Sequence, residues 1–150
     1  MPFFVTLKVV KGVIVLTILQ VSNITGGYTR KPVIKNLSFE IGKGELVGLI
    51  GLNGAGKSTT IKHIIGTLLP DEGEVRLNGV TLKENVEQYR TSFSYIPETP
   101  VLYEELTLKE HLELTAMAYG LDEKTFEERS AALLKEFRME RRLNWFPSHF

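Results

Sequence analysis

The run Gly51-Leu52-Asn53-Gly54-Ala55-Gly56-Lys57-Ser58 satisfies the phosphate-loop pattern G-x-x-x-x-G-K-[ST]. Glycines at 51, 54 and 56 let the backbone curl until successive N–H groups point inward, as binding of phosphate oxygens requires. A helix beginning at Lys57 would add its positive pole to that cradle. Lys57 is then placed to reach β- and γ-phosphates as a point charge, and the Ser58 hydroxyl to ligate a Mg²⁺ that bridges them. Thr59 offers a further hydroxyl. The plainer alternative is a glycine-rich strand-to-helix turn with an incidental lysine, and the flanking segments argue against it.

Before the loop, Leu46-Val47-Gly48-Leu49-Ile50 is a continuous apolar run between glycines, which predicts a strand covered on both faces in a parallel sheet. After it, Ile61, Ile64, Ile65 and Leu68 recur at helical spacing until Pro70, which cannot continue a helix. Upstream, strands are predicted over Ile18–Thr25, ended by Gly26-Gly27, and over Val33–Ile41, ended by Gly42-Lys43-Gly44. Glu74 to Leu82 reads as a hairpin about Asn78-Gly79, the dipeptide best suited to a type I′ turn. Phe93 to Ile96 reads as a further short strand closed by Pro97. Thr107-x-x-Glu110 forms a capping box that opens a helix with Leu108, Leu112, Thr115 and Tyr119 on one face, stopped at Gly120. A second helix is expected through Asp122 to Arg138 on the period of Phe126, Leu133, Leu134 and Phe137, followed by an irregular basic segment to Pro147. The fold class is α/β, with an antiparallel portion.

Composition excludes several other chemistries. The 150 residues carry 18 Lys+Arg against 18 Asp+Glu, so nothing marks a polyanion-binding surface and no nucleic-acid partner is expected. There is no Cys, which removes disulfides, thiolate metal sites and a Cys nucleophile. From Glu84 onward lie 13 of the 18 acidic residues, so the C-terminal half reads as charged amphipathic helix. The apolar N-terminus is interrupted by Lys8, Lys11 and Gln20, too soon for a membrane-spanning helix, and it lacks the basic start and small-residue cleavage site of a secretory signal. His63 and His111 have no partners at metal-ligand spacing and are expected as packing or solvent-facing residues, and His149 carries no readable signal.

Wording and spacing together resemble the ATP-binding subunits of ABC transporters: the loop followed by Thr59, then Leu69-Pro70-Asp71-Glu72-Gly73-Glu74-Val75-Arg76-Leu77-Asn78-Gly79, then Tyr95-Ile96-Pro97-Glu98. The run from Tyr95 to Thr107 and the stretch Thr115-Ala116-Met117-Ala118-Tyr119-Gly120-Leu121 resemble the Ecs-type branch of that family. The resemblance covers Leu16 to Phe150. It implies a phosphate-loop nucleoside-triphosphatase fold, with an ATP-binding core over 16–97 and a helical subdomain over 98–150. Residues 1–15 are expected as an extension outside the fold. ATP and Mg²⁺ are the implied cofactors, and the implied ATP-binding residues are Gly51, Leu52, Asn53, Gly54, Ala55, Gly56, Lys57, Ser58 and Thr59.

Tyr28 falls where the family places an aromatic that stacks on adenine, the alternative being a ring that merely packs beside the Gly-Gly turn. Glu98 falls at the Q-loop position, where most relatives have Gln. The resemblance makes it a candidate catalytic residue and, with Ser58, a candidate Mg²⁺ ligand; a plain surface carboxylate is the alternative. The implied partners are a second nucleotide-binding domain and a membrane-spanning subunit, reached at the cytoplasmic face of the membrane, with Val101, Leu102 and Tyr103 as candidate contacts.

No signature motif, no apolar strand ending in Asp-Glu and no switch His occur in the sequence. The expectation is therefore an incomplete domain that holds a triphosphate and does not hydrolyse it alone. Two rival readings remain. One is another phosphate-loop protein such as a small-molecule kinase, for which Arg138, Arg141 and Arg142 form the only arginine cluster. The other is a non-catalytic nucleotide-binding fragment. Guanine-nucleotide proteins are disfavoured because the sequence has no Asn-Lys-x-Asp base-reading motif.

Overall fold

A computed structural model of the chain describes residues 16–150 and the backbone of Val5–Thr6. Apart from that strand pair, the expectation for residues 1–15 lies outside the described residues. The chain divides into two compact units with the boundary between Tyr95 and Ile96.

The first unit is built on a four-stranded antiparallel sheet. Strands β2 (Thr17–Gly26), β3 (Ile34–Gly42), β5 (Glu72–Leu77) and β6 (Val80–Thr81) lie in the order β3-β2-β5-β6. Leu19 and Val21 point into the core on the expected alternation, but the next core residue is Ile24 rather than Asn23. Asn23 supplies the missing step. It adopts φ 50° as an extra residue against both neighbours, since Val21 pairs with Phe39 and Ile24 with Leu37. Ser38 secures the bulge by accepting the Asn23 N–H at 2.8 Å and donating to Asn23 Oδ1 at 2.7 Å. The bulge returns Ile24 to the core, a burial that stabilises by roughly 1.5–3 kcal/mol. The hairpin forms as its dipeptide predicts, with Asn78 and Gly79 at φ 48° and 80° and Leu77 paired to Val80.

Helix α1 (Lys57–Ile64) follows the glycine loop. Its buried side chains are Thr59, Thr60 and His63, whereas Ile61, Ile64 and Ile65 are half-buried and line an open apolar groove of about 610 Å³ with Leu19, Ile41, Leu77 and Phe93, Ile64 also packing against the core. Polar groups can be buried on this helix because they find local partners. The Thr60 hydroxyl donates to the Gly56 carbonyl at 3.0 Å, and His63 Nδ1 meets the Leu68 carbonyl at 2.8 Å.

Two predicted strands differ from expectation. Leu46–Ile50 forms only the two-residue strand β4 (Leu49–Ile50), antiparallel to β1 (Val5–Thr6), with Leu46 94% exposed. Phe93–Ile96 forms no strand, and Ile96 is 90% exposed. Each run has the composition of a strand flanked by neighbours, and a strand exists only where another chain segment accepts its hydrogen bonds. Conversely, helix α2 (Val86–Thr91) was not expected. Asn85 caps it by accepting the Gln88 N–H at 2.9 Å, and it buries Tyr89 in the core beside Phe93.

The second unit contains α3 (Leu108–Ala118) and α4 (Glu123–Glu136), then single turns of 3₁₀ helix at Glu140–Arg142 and Pro147–His149 in the segment expected to be irregular. The Thr107/Glu110 capping box forms in both directions. Carbonyls of Trp145 and Leu143 accept the N–H groups of Leu108 and Lys109, so the C-terminal segment completes the start of α3.

Tyr89 generates a pH prediction. Its hydroxyl donates to the Ile64 carbonyl at 2.6 Å, and burial pushes its phenol up to about 12. The folded chain holds this proton more tightly than the unfolded chain, whose tyrosine titrates near 10. The contribution is therefore full below pH 10 and is lost as pH climbs from about 10 to about 12. In denaturant titrations, Tyr89→Phe is expected to lose about 1 kcal/mol at neutral pH through the missing hydrogen bond. It should also decline less steeply than wild type above pH 10. Equal alkaline slopes would exclude Tyr89 as the group responsible.

Candidate functional site: the glycine loop and helix α1

The loop turns into α1 through Gly56, which takes the N-cap place at φ 95°, ψ 9°, with Gly54 at φ 78° before it. Both are left-handed conformations that a side chain would strain. The first bond inside the helix runs from the Thr60 N–H to the Gly56 carbonyl at 2.8 Å. The N–H groups of Lys57, Ser58 and Thr59 thus have no acceptor one turn back. No side chain caps them and no acidic residue lies in the first turn. An uncapped helix start without a carboxylate is suited to an external anion.

Lys57 is half-buried and folds back over the loop, its Nζ donating to the carbonyls of Gly51 at 2.7 Å and Leu52 at 2.9 Å. Those two bonds hold the ammonium at the loop's mouth, where a phosphate would exchange neutral acceptors for charged ones. Ser58 is exposed, whereas Thr59 is 5% exposed and turned to the buried side. Leu52 and Asn53 are exposed at the loop's crest, and Ala55 is tied beneath it by its N–H to the Leu52 carbonyl at 3.1 Å. Among the described residues no group of three or more His, Asp or Glu side chains is gathered to hold a metal.

Tyr28 lies in the turn after β2, 58% exposed, with the Lys62 Nζ of α1 over its ring at 5.1 Å from the centroid. The Lys62 ammonium beside the phenol, with help from Thr59, holds it below the usual tyrosine range against the opposing effect of burial. The fold thus brings Tyr28 to the same helix that carries Ser58 and Thr59. Glu98 belongs to the second unit, in an exposed bend.

Lys62 carried no signal in the sequence, since one exposed lysine on a helix is ordinary. His63 and His111 fill packing roles rather than solvent-facing ones. His63 is 2% exposed, its imidazole against β2 where only a glycine fits: a Cβ on Gly26 would stand 2.9 Å from His63 Cε1. His111 is half-buried and accepts the Tyr103 N–H at 3.0 Å through Nε2.

Residues 34–148 match the family described as ABC transporter. The chain is 65% identical over 135 residues to the ABC-type transporter ATP-binding protein EcsA of Bacillus subtilis, covering 90% of this chain and 55% of that protein. It is 36% identical to the SkfA peptide export ATP-binding protein SkfE of Bacillus subtilis, covering 86% of this chain and 53% of that one. A solved structure titled as the ATP binding subunit of an ABC transporter superposes with a TM-score of 0.82 at 59% identity, over 89% of this chain and 56% of the other. A nucleotide-free ATP-binding cassette shares the fold with a TM-score of 0.67 at 24% identity. The chain thus spans about half the length of the relatives it matches.

The loop geometry predicts the effect of Gly56→Ala. An L side chain at φ 95° is strained by roughly 1–2 kcal/mol, so the thermal midpoint should fall by several degrees. An unchanged midpoint would mean that the loop leaves this conformation without cost.

Proposed function

This chain belongs to the ABC transporter family, and from that premise we propose that its 150 residues are the triphosphate-holding portion of a transporter's ATP-binding subunit. The observation that carries the reading is the uncapped start of α1 behind two left-handed glycines, with Lys57 held at the mouth and no carboxylate in the loop. The exposed N–H groups and Lys57 would bind the β- and γ-phosphates, Ser58 would ligate Mg²⁺, and the open ring of Tyr28 would stack on the base. Mg²⁺ held by the Ser58 hydroxyl would supply neutralisation of the phosphate charge.

In the whole protein the proposed role is to couple ATP binding and hydrolysis to transport. Two such domains would close over nucleotide and act on a membrane-spanning subunit at the cytoplasmic face. No described helix is long and apolar enough to cross a membrane. Glu98, at the Q-loop position, is proposed as a candidate catalytic residue and Mg²⁺ ligand. Hydrolysis also needs a carboxylate to orient water at the γ-phosphate. The sequence has no apolar strand ending in Asp-Glu to provide it, so these residues alone are proposed to bind without turning over.

Two measurements test the proposal. Lys57→Ala should weaken Mg·ATP binding by about ten- to hundredfold, the worth of a charge-assisted hydrogen bond, while helix content is retained. Equal binding by wild type and variant would overturn the phosphate-loop assignment. Purified residues 1–150 should release phosphate from Mg·ATP no faster than buffer at any protein concentration. Saturable release that depends on Lys57 would overturn the view that this portion binds without hydrolysing.

A further inference from the structure

We infer that Lys62 is a positioning residue that holds the Tyr28 ring in the orientation needed to receive a nucleotide base; this rests on the proposed stacking role of Tyr28. The turn that carries Tyr28 is fixed at its base and free at its crest. The Val33 N–H donates to the Gly26 carbonyl at 2.9 Å, closing the turn, and Gly26 itself lies under the His63 imidazole. Beyond that closure Tyr28, Thr29 and Arg30 are exposed. A phenol ring on such a crest would sample many orientations, and only a fraction of them would present a face to a base at the correct place.

Lys62 supplies a fixed point. Its backbone is anchored at the end of α1, where its carbonyl accepts from Thr67 N at 3.0 Å and Leu68 N at 3.2 Å. The side chain therefore springs from a rigid root. The ammonium lies over one face of the ring, 5.1 Å from its centroid. A cation over one face restrains the ring and leaves the opposite face to receive a base, in keeping with the 58% exposure of Tyr28. Ordering the ring before the ligand arrives raises the competent fraction, and apparent affinity rises in proportion.

The test compares Mg·ATP with inorganic tripolyphosphate, which has the phosphates and no base, on the 150-residue chain and its variants. Lys62→Met should weaken ATP binding by about two- to fivefold, the worth of one exposed cation–π contact, and leave tripolyphosphate binding unchanged. Lys62→Arg should restore ATP binding. The Tyr28 phenol, followed by its ring-carbon NMR signal, should titrate higher in Lys62→Met than in wild type. The inference is overturned if ATP and tripolyphosphate weaken equally, which would make Lys62 a phosphate contact. It is also overturned if ATP binds unchanged, or more tightly because Lys62 had occupied the base's place. Tyr28→Ala separates the two readings. If it weakens ATP and Lys62→Met does not, positioning fails and stacking stands; if it leaves ATP binding unchanged, the stacking reading itself fails.

Discussion

Where His63 meets Gly26, an imidazole on α1 occupies the space a Cβ would take on β2, and the first unit is organised around that contact. The ring is 2% exposed, its Nδ1 bonded to the Leu68 carbonyl at 2.8 Å, while among the described residues Nε2 has no partner. The short bond assigns the proton to Nδ1, because the carbonyl can only accept. That leaves Nε2 as a bare acceptor in a buried place, which costs of order 1–3 kcal/mol. The cost is offset by what the contact fixes. It presses the C-terminal half of α1 against the sheet, and Tyr89 adds a second attachment through the Ile64 carbonyl.

Anchoring one end of a short helix leaves the other end free to do chemistry. The first turn of α1 has neither a capping side chain nor an acidic residue, whereas the three capped helices α2, α3 and α4 each have a side chain accepting a backbone N–H. The contrast is informative because caps are worth about 1 kcal/mol, and α1 is the shortest of the helices after α2. A helix that forgoes its cap must be stabilised by packing elsewhere. Here Thr59, Thr60 and His63 supply that packing, although each is polar. With hydroxyls and an imidazole on the buried face, Ile61, Ile64 and Ile65 are left half-buried along the apolar groove, Ile64 also against the core.

What could be read from the sequence was whatever is decided within a few residues. The Asn78-Gly79 turn, the Thr107/Glu110 box and the phosphate-loop pattern all depend on neighbours no more than a handful of positions away, and each forms. The two strand failures originate in distance along the chain. Leu46–Ile50 and Phe93–Ile96 have strand composition, but pairing partners decide whether a strand exists. Asn23 broke the alternation of β2 with an αL residue that no period-2 count anticipates. Helix α2 was missed although Asn85 and Gln88 stand at capping spacing, since six residues give no measurable period. At the site, the glycines and Lys57 announced themselves, whereas Lys62 acquired meaning only when the turn after β2 brought Tyr28 beside it.

Helical geometry links these observations into one arrangement. Successive residues on a helix are about 100° apart and one turn rises about 5.4 Å, so Thr59 and His63, four apart, share a face, and Ser58 and Lys62 share the adjacent one. Pressing His63 and Thr59 against the sheet therefore fixes Ser58 and Lys62 along the exposed edge without any further contact. Ser58 comes to the loop end of that edge, where a metal-bridged phosphate would lie. Lys62 comes one turn along it, where Tyr28 lies. The rotation of α1 about its own axis, set by a buried histidine and a glycine, thus determines the spacing between the hydroxyl proposed to ligate metal and the ring proposed to stack on the base. An apolar side chain at 63 could fill the same volume. It would lose the bond to the Leu68 carbonyl that prevents the helix from turning, and the two ends of the site would then no longer be held in register.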